Sequence, residues 1–237
     1  MRAEDEGLRE SWDRNAAAWT DAVRGGAIPS RRAGTDAAVV EAVARVPGRR
    51  VLDVGCGEGW LARALAERGR EVVGVDGSAE LVRRAREAGG GEFRVLRYDE
   101  IESDPARLGG PFDAVVCNFA LLGDPVAPLL RALATALAPE GRLLVQTVHP
   151  FTACGDAPYR DGWRTEDFAA FATPFPAAMP WYFRTVASWL AQARAAGLKV
   201  ASLEEPLHPD TGRPLSLILE LVLPIKGPQR RPDRSSR

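Results

Sequence analysis

The sequence predicts a doubly wound α/β fold built on a mainly parallel sheet. Three observations carry that expectation. Val51-Leu52-Asp53-Val54 is a short apolar run interrupted by one carboxylate, as in a strand buried on both faces. It leads through Gly55-Cys56-Gly57-Glu58-Gly59 into a helical stripe, Trp60, Leu61, Ala64 and Leu65, which Gly69 stops. A second apolar strand, Glu71 to Asp76, again ends in an acid and again leads into a helix.

The glycine stretch is the first functional signal. Alternate glycines let the backbone turn tightly and let a ligand approach it. The helix start behind them aims free N–H groups at whatever sits on the turn. A dinucleotide fingerprint, G-x-G-x-x-G, does not fit, because its third glycine would fall on Trp60 and Glu58 would stand beside a pyrophosphate. Asp53 suits a ligand with a positive charge instead. Val51 to Gly59 resembles the first motif of class I S-adenosylmethionine-dependent methyltransferases. The competing reading of this motif taken alone is an ordinary glycine turn. The resemblance implies that Asp53, Gly55, Cys56, Gly57 and Gly59 line the cofactor.

The totals set bounds. A chain of 237 residues fits one α/β domain with an added lid. A net charge of −1 gives no electrostatic case for nucleic acid or an anionic membrane. The charged start, Met1 to Glu6, does not read as a signal peptide, and no apolar run is long enough to span a bilayer. Cys56, Cys117 and Cys154 are odd in number and widely spaced, which suggests neither disulfides nor a zinc site. A reducing, cytoplasmic setting is the expectation.

Taken in order, residues 8–24 read as a helix with Leu8, Trp12, Ala16, Trp19 and Val23 on one stripe. Its plain role is packing. The resemblance adds a lid role, with Trp19 over the cofactor. Ile28 to Arg32 reads as a loop whose Arg31-Arg32 pair meets a carboxylate or is solvated. A second helix is expected at about 34–46.

Asp76 follows Asp53 by 23 residues, near the interval at which an α/β nucleotide site places its ribose acid. A carboxylate accepts from two adjacent sugar hydroxyls, and Gly77 follows it closely. The alternative role for Asp76 is a turn or cap. Ser78 caps the next helix, 79–88. A third strand, Phe93 to Tyr98, is expected to end in Asp99-Glu100-Ile101. This resembles the family's adenine site: Asp99, or its neighbour Glu100, accepts from the exocyclic amine and Ile101 covers the ring.

The fourth strand, Pro111 to Phe119, matches the family's F-D-x-V pattern, which implies that Asn118 and Phe119 lie over the methionine part of the cofactor. A helix at about 126–137 follows. Leu137-Ala138-Pro139-Glu140-Gly141-Arg142-Leu143 resembles the family's L-x-P-G-G-x-L segment, with Glu140 in place of a glycine. Leu143 to Val148 is the fifth strand.

Residues 149–184 change character. Ten of the 17 aromatic residues lie between Phe151 and Trp189, and five prolines break any long helix. Such an insertion between strands is usually functional. Its aromatics form a pocket for something flat, the lid's own small core, or both. Phe151, Tyr159, Trp163 and Tyr182 are the candidate substrate contacts. His149, at the end of the fifth strand, is the candidate general base. Its alternative is a backbone hydrogen bond that starts the loop, which would leave Glu166 as a possible base. Helix 185–196, strand 198–207, a turn at His208 to Pro214 and strand 216–225 follow; the tail, 227–237, reads as disordered.

The resemblance covers residues 48–148 by motif and 185–226 by architecture. It implies seven strands, the last antiparallel, in one domain over 1–226. Within that domain, 1–47 are N-terminal helices, 48–148 the cofactor core, 149–184 a substrate lid, and 185–226 the terminal helix and hairpin. It implies S-adenosylmethionine as cofactor; the aromatic insertion and the missing basic surface favour methylation of O or N on a small, aromatic or heteroaromatic metabolite. A nicotinamide oxidoreductase, a non-catalytic cofactor-binding protein and a protein methyltransferase are the rival readings. Oligomeric state is not addressed by the sequence.

Overall fold

The computed structural model describes residues 3–171 and 174–224. The elements run α1 (Ala3–Arg24), α2 (Asp36–Ala44), β1 (Arg50–Val54), α3 (Trp60–Ala66), β2 (Glu71–Asp76), α4 (Ala79–Ala88), β3 (Glu92–Val95), α5 (Tyr98–Ser103), β4 (Phe112–Asn118), α6 (Ala127–Ala134) and β5 (Leu137–Val148). The insertion then contributes α7 (Pro150–Cys154) and the strands β6 (Gly162–Glu166) and β7 (Met179–Phe183). The chain returns through α8 (Val186–Ala195), β8 (Lys199–Glu204) and β9 (Ser216–Val222). No helix among the described residues is long and apolar enough to cross a membrane.

Seven strands form one sheet in the order β3-β2-β1-β4-β5-β9-β8. Pairs from β3 through β5 are parallel, and β9 runs antiparallel between β5 and β8. The expected doubly wound sheet with an antiparallel last strand is therefore present. The strand order reverses between β1 and β4, which share an edge although β2 and β3 intervene in the chain. In open α/β sheets ligands bind outside the carboxyl ends of the strands at such a point.

Two cores follow from alternation along buried strands. Leu52, Val54 and Val115 pack with Leu130, Leu133 and Trp189 on the side of α6 and α8. Val51, Val72 and Val116 pack with Val39, Val43 and Leu61 on the side of α2 and α3. Parallel strands with both faces covered read as near-continuous apolar runs, and these do.

Several boundaries differ from those the sequence predicts. Helix α1 starts at Ala3, five residues early, and lies against α4 and β7. Residues 31–35 are a wide helical turn rather than a loop; Gly34 breaks it and α2 begins at Asp36. Strand β3 stops at Val95, and Tyr98 is already helical. The reason is local: the Glu100 carboxylate accepts from the Arg97 N–H at 2.9 Å, and this cap starts α5 before the strand can continue.

Helix α6 ends three residues early, because β5 begins at Leu137, opposite Phe112. The register then slips, so that Ala114 faces Arg142. The Pro139 to Gly141 segment is therefore a bulge within a longer strand. Strand β9 is described to Val222; the expected end at residue 225 and the tail lie outside the described residues.

Candidate functional site

The glycine turn sits at the carboxyl end of β1. Gly57 has φ 56°, and a Cβ there would meet nothing within 4 Å, so open space lies in front of the turn. Gly55 is crowded instead: a Cβ would lie 2.4 Å from the Ala120 Cβ and 2.7 Å from the Tyr98 hydroxyl. One glycine opens the turn, and the other lets it press against the next strand's exit.

Two carboxylates stand under this turn. Asp53 is 1% exposed, and its Oδ2 has no hydrogen-bond partner. Burial, helped by the charge of Asp76, pushes its pKa up to about 7. Asp76 ends β2. Its Oδ2 accepts from the Gly57 N–H at 2.9 Å and its Oδ1 from the Ser78 N–H at 2.8 Å. Burial is the main cause raising the Asp76 pKa as well, against those backbone bonds. Ser78 starts α4 as its flanking residue, but its hydroxyl makes no cap bond; Asp76 does that work. At the end of β4, Asn118 has an unpartnered Oδ1, and Phe119 is held at φ 52°, a conformation that non-glycine residues rarely adopt.

Cys56 in the turn and Cys117 in β4 are buried, and burial pushes both thiols up. Neither is a thiolate nucleophile at neutral pH. Glu58, also 1% exposed, does not face the open side. Its carboxylate takes Arg24 Nε at 2.7 Å and Arg63 Nη2 at 2.7 and 2.8 Å. Arg31 is tied to Asp36 at 2.9 and 3.0 Å and stacks 4.2 Å over the Trp60 ring. The expected carboxylate partner of that arginine pair is thus Asp36.

The three adenine candidates lie at the start of α5. Asp99 is exposed on the first turn of α5, paired with Arg97 Nε at 3.1 Å. Glu100 is spent on the Arg97 N–H and on Arg107 Nη1 at 2.7 Å. Ile101 is fully buried in the core, so it has no face to lay on a ring. Asp99 keeps an exposed carboxylate beside the end of β3, whereas the amphipathic turn of α5 takes the isoleucine inward.

His149 takes the backbone-bonding role that was its alternative. His149 is 4% exposed and is the N-cap of α7: its Nδ1 accepts from the Phe151 N–H at 3.2 Å. Its Nε2 meets Glu205 Oε1 at 2.7 Å. A neutral imidazole has one lone pair, and the cap uses it, so none is left for a substrate proton. The alternative base, Glu166, accepts from the Phe168 N–H at 2.8 Å.

The insertion folds as a hairpin over the strand ends. Trp163 and Tyr182 are cross-strand partners with rings 5.5 Å apart, edge to face. Tyr159 packs edge-on to Phe183 at 5.8 Å, and its hydroxyl accepts from the Val186 N–H. Phe151 points to solvent from α7, 58% exposed. Phe168 stacks on Phe175 at 4.1 Å, and Phe175 reaches Trp19 at 6.5 Å, which in turn meets Trp12 at 5.2 Å. The aromatics therefore make the hairpin's own core, continuous with α1.

Sequence reasoning missed Asn15, which clamps α1 to the insertion, and Arg184, which is buried beneath it. In the sequence Arg184 shows only as one arginine closing the aromatic run Trp181-Tyr182-Phe183, which does not say where its nitrogens go.

The sequence pattern of the family described as "Methyltransferase domain" matches residues 30–203. A ubiquinone biosynthesis O-methyltransferase of Xylella fastidiosa (strain 9a5c) is 43% identical over 111 residues, 44% of this chain and 45% of that protein. A second, from Xanthomonas campestris pv. campestris (strain B100), is 40% identical over 114 residues, 46% of this chain and 47% of that protein. The chain thus spans a little under half the length of the curated relatives it matches. Among solved structures, an S-adenosylmethionine dependent methyltransferase from Mesorhizobium loti superposes with a TM-score of 0.60 at 25% identity, covering 79% of this chain and 98% of that one. Magnesium protoporphyrin IX methyltransferase from Synechocystis PCC 6803, with bound SAM, superposes with a TM-score of 0.63 at 22% identity, covering 94% and 99%.

Proposed function

Because the chain belongs to the methyltransferase-domain family, we propose that it transfers a methyl group from S-adenosylmethionine to an oxygen of a small, aromatic molecule. S-adenosylmethionine is the cofactor of this family, and the residues at the β1–β4 switch fit it. Its α-ammonium needs a carboxylate, and Asp53 Oδ2 is buried with no partner. Its ribose diol needs an acceptor at the next strand end, where Asp76 stands. The space in front of Gly57 is open to it. The unpartnered Asp53 beneath the turn is the observation that carries the reading.

When bound, the cofactor supplies a methyl group already activated on a sulfonium. The chain's own task is then to position and to exclude water. Asp53 and Asn118 hold the amino-acid end, and Asp76 fixes the ribose. The insertion, 149–184, with α1 across it, forms the lid that shields the acceptor. The oxygen acceptor follows the relatives of similar sequence, whose printed activity is O-methylation.

The test is calorimetry with S-adenosylhomocysteine and with NAD, followed by measurement of S-adenosylhomocysteine release with a panel of phenols. Binding of the homocysteine product and turnover with a phenol is the expected result. Binding of NAD alone would sink the reading, and binding without turnover on any phenol or amine would point to a non-catalytic binding protein.

A further inference from the structure

Among the described residues Arg184 is the largest fully buried side chain, at 2% exposed. It follows β7 directly. Its Nη2 donates to the Gly123 carbonyl and, at 3.1 Å, to Asp124 Oδ1. The Tyr182 and Trp189 rings flank it at 4.8 and 5.1 Å. Its Nε and Nη1 are buried and have no acceptor. Asp124 offsets the charge, but it reaches neither of those nitrogens.

Unfilled buried donors of this kind call for an explanation. A guanidinium presents five N–H groups in one plane. A residue needed only to tie down the Gly123-Asp124 turn would use Nη2 and leave the others in water. Here the others are kept from water, and Arg184 lines a small cavity with Leu121 and Leu122, beyond β4, and with Thr147 and Val148, at the end of β5. That cavity lies under β7, beyond the carboxyl ends of β4 and β5. Its volume is about 10 Å³, room for about one water. The Tyr182 N–H to Leu122 carbonyl bond, at 2.8 Å, crosses the gap beside the Arg184 bonds to Gly123 and Asp124.

We infer that Arg184 recognises the acceptor, and that the acceptor is a small aromatic molecule carrying a carboxylate. This deepens the methyltransferase reading and rests on it. The carboxylate is planar and accepts in-plane N–H bonds, which matches the guanidinium better than any neutral group does. As it stands the cavity has room for a water and not a ring; Leu121, Leu122, Trp181 and Tyr182 become the ring's walls only once it opens. Admission of the ring lifts β7 away from Leu122, and the carboxylate then meets the Nε and Nη1 groups.

The experiment uses the full chain saturated with S-adenosylhomocysteine. Calorimetry compares benzoate, 4-hydroxybenzoate and 3,4-dihydroxybenzoate, each against its amide. At least one acid should bind ~10-fold or more tightly than its amide, since a site built to pair a charged group rejects the analogue that lacks it. Arg184→Gln should abolish that preference and leave the affinity for S-adenosylhomocysteine unchanged. Should that variant fail to fold, nitrogen-15 resonances of the wild-type arginine side chains serve: the protected Nε–H of Arg184 should shift with the acid and not with the amide. Equal binding of every acid and amide, binding of neither, or a preference that survives in folded Arg184→Gln overturns the inference. Failure to bind S-adenosylhomocysteine at the outset would instead overturn the methyltransferase reading beneath it.

Discussion

Asn15 and Ala177 are joined by two hydrogen bonds: the Asn15 amide donates to the Ala177 carbonyl at 2.7 Å and accepts from the Ala177 N–H at 3.0 Å. A side-chain amide thus behaves like one more strand beside the chain between the aromatic segment and β7. It fastens α1, which lies against α4, to the insertion that lies over β4 and β5. Arg14 adds a bond to the Pro176 carbonyl at 3.1 Å. Two segments far apart in sequence therefore form one cover.

Asn15→Ala should loosen that cover without loosening the sheet. Loss of two bonds that leaves backbone groups unpaired costs about 1–3 kcal/mol. Hydrogen exchange should speed up at Ala177 and across β6–β7, with β1 to β5 unchanged. Equal acceleration in both regions would mean that the clamp belongs to the global fold.

Asp53 gives a pH dependence whose sign can be worked out. Its pKa is about 7 in the folded chain against 3.8 as the ordinary value. The folded chain holds this proton in a window where the unfolded chain has lost it. Stability from this group is therefore present below pH ~4, falls as the pH rises to ~7, and is flat above. Asp53→Asn removes the titration, so its melting temperature without cofactor should exceed that of the wild type at pH 8 and not at pH 4.5. The upper bound on the difference is ~4 kcal/mol. The ligand's α-ammonium prefers the ionised form, so wild-type affinity for S-adenosylhomocysteine should rise up to ~10-fold from pH 6 to 7, and the variant should show no such rise.

Asp76→Ala removes the ribose acceptor and also two bonds that shape the glycine turn. Affinity for S-adenosylhomocysteine should fall at least ~10-fold, because bonds to charged groups contribute about 1.5–3 kcal/mol. Unchanged affinity in a folded variant, measured by calorimetry, would remove Asp76 from the site.

Glu58→Ala strands Arg24 and Arg63. Both arginines are partly exposed, so the cost is less than for a fully buried pair, about 2 kcal/mol. Chemical denaturation should show it, and the effect should be the same with and without cofactor. A cofactor-dependent difference would place Glu58 at the ligand instead.

His149→Ala should cost about 1 kcal/mol, the typical worth of an N-cap. Turnover should stay within ~3-fold of wild type, and the low-pH limb of the rate profile should not move. A fall of ~10²-fold would restore His149 as the base.

The sheet was legible because each parallel strand is an apolar run that ends in a turn or an acid, and Val51 to Gly59 states the switch point almost alone. The element ends were less legible. Glu100 stops β3 through a bond to the Arg97 N–H, and Phe112 recruits Leu137 into β5 from across the sheet. Neither event leaves a periodic signal. In the site, Asp53 and Asp76 could be placed from strand ends, since the backbone alone puts them there. His149 could not be resolved from sequence, because its role depends on a neighbour, Glu205, 56 positions away. Arg184 escaped for the same reason: its meaning lies in nitrogens left without partners, and that is visible only once the walls around it are known.

The place of β9 has a consequence in time. It lies between β5 and β8, and among the described residues β8 pairs with no other strand. While the chain is being made, β8 therefore emerges with nothing to join, and one margin of the nascent sheet stays open at β5. Contacts of such long sequence separation are made late. The interval before Ser216 to Val222 arrives is when exposed edges are most apt to pair with other chains. Chaperone capture, if it occurs during synthesis, should concentrate on chains stalled between Glu204 and Ser216.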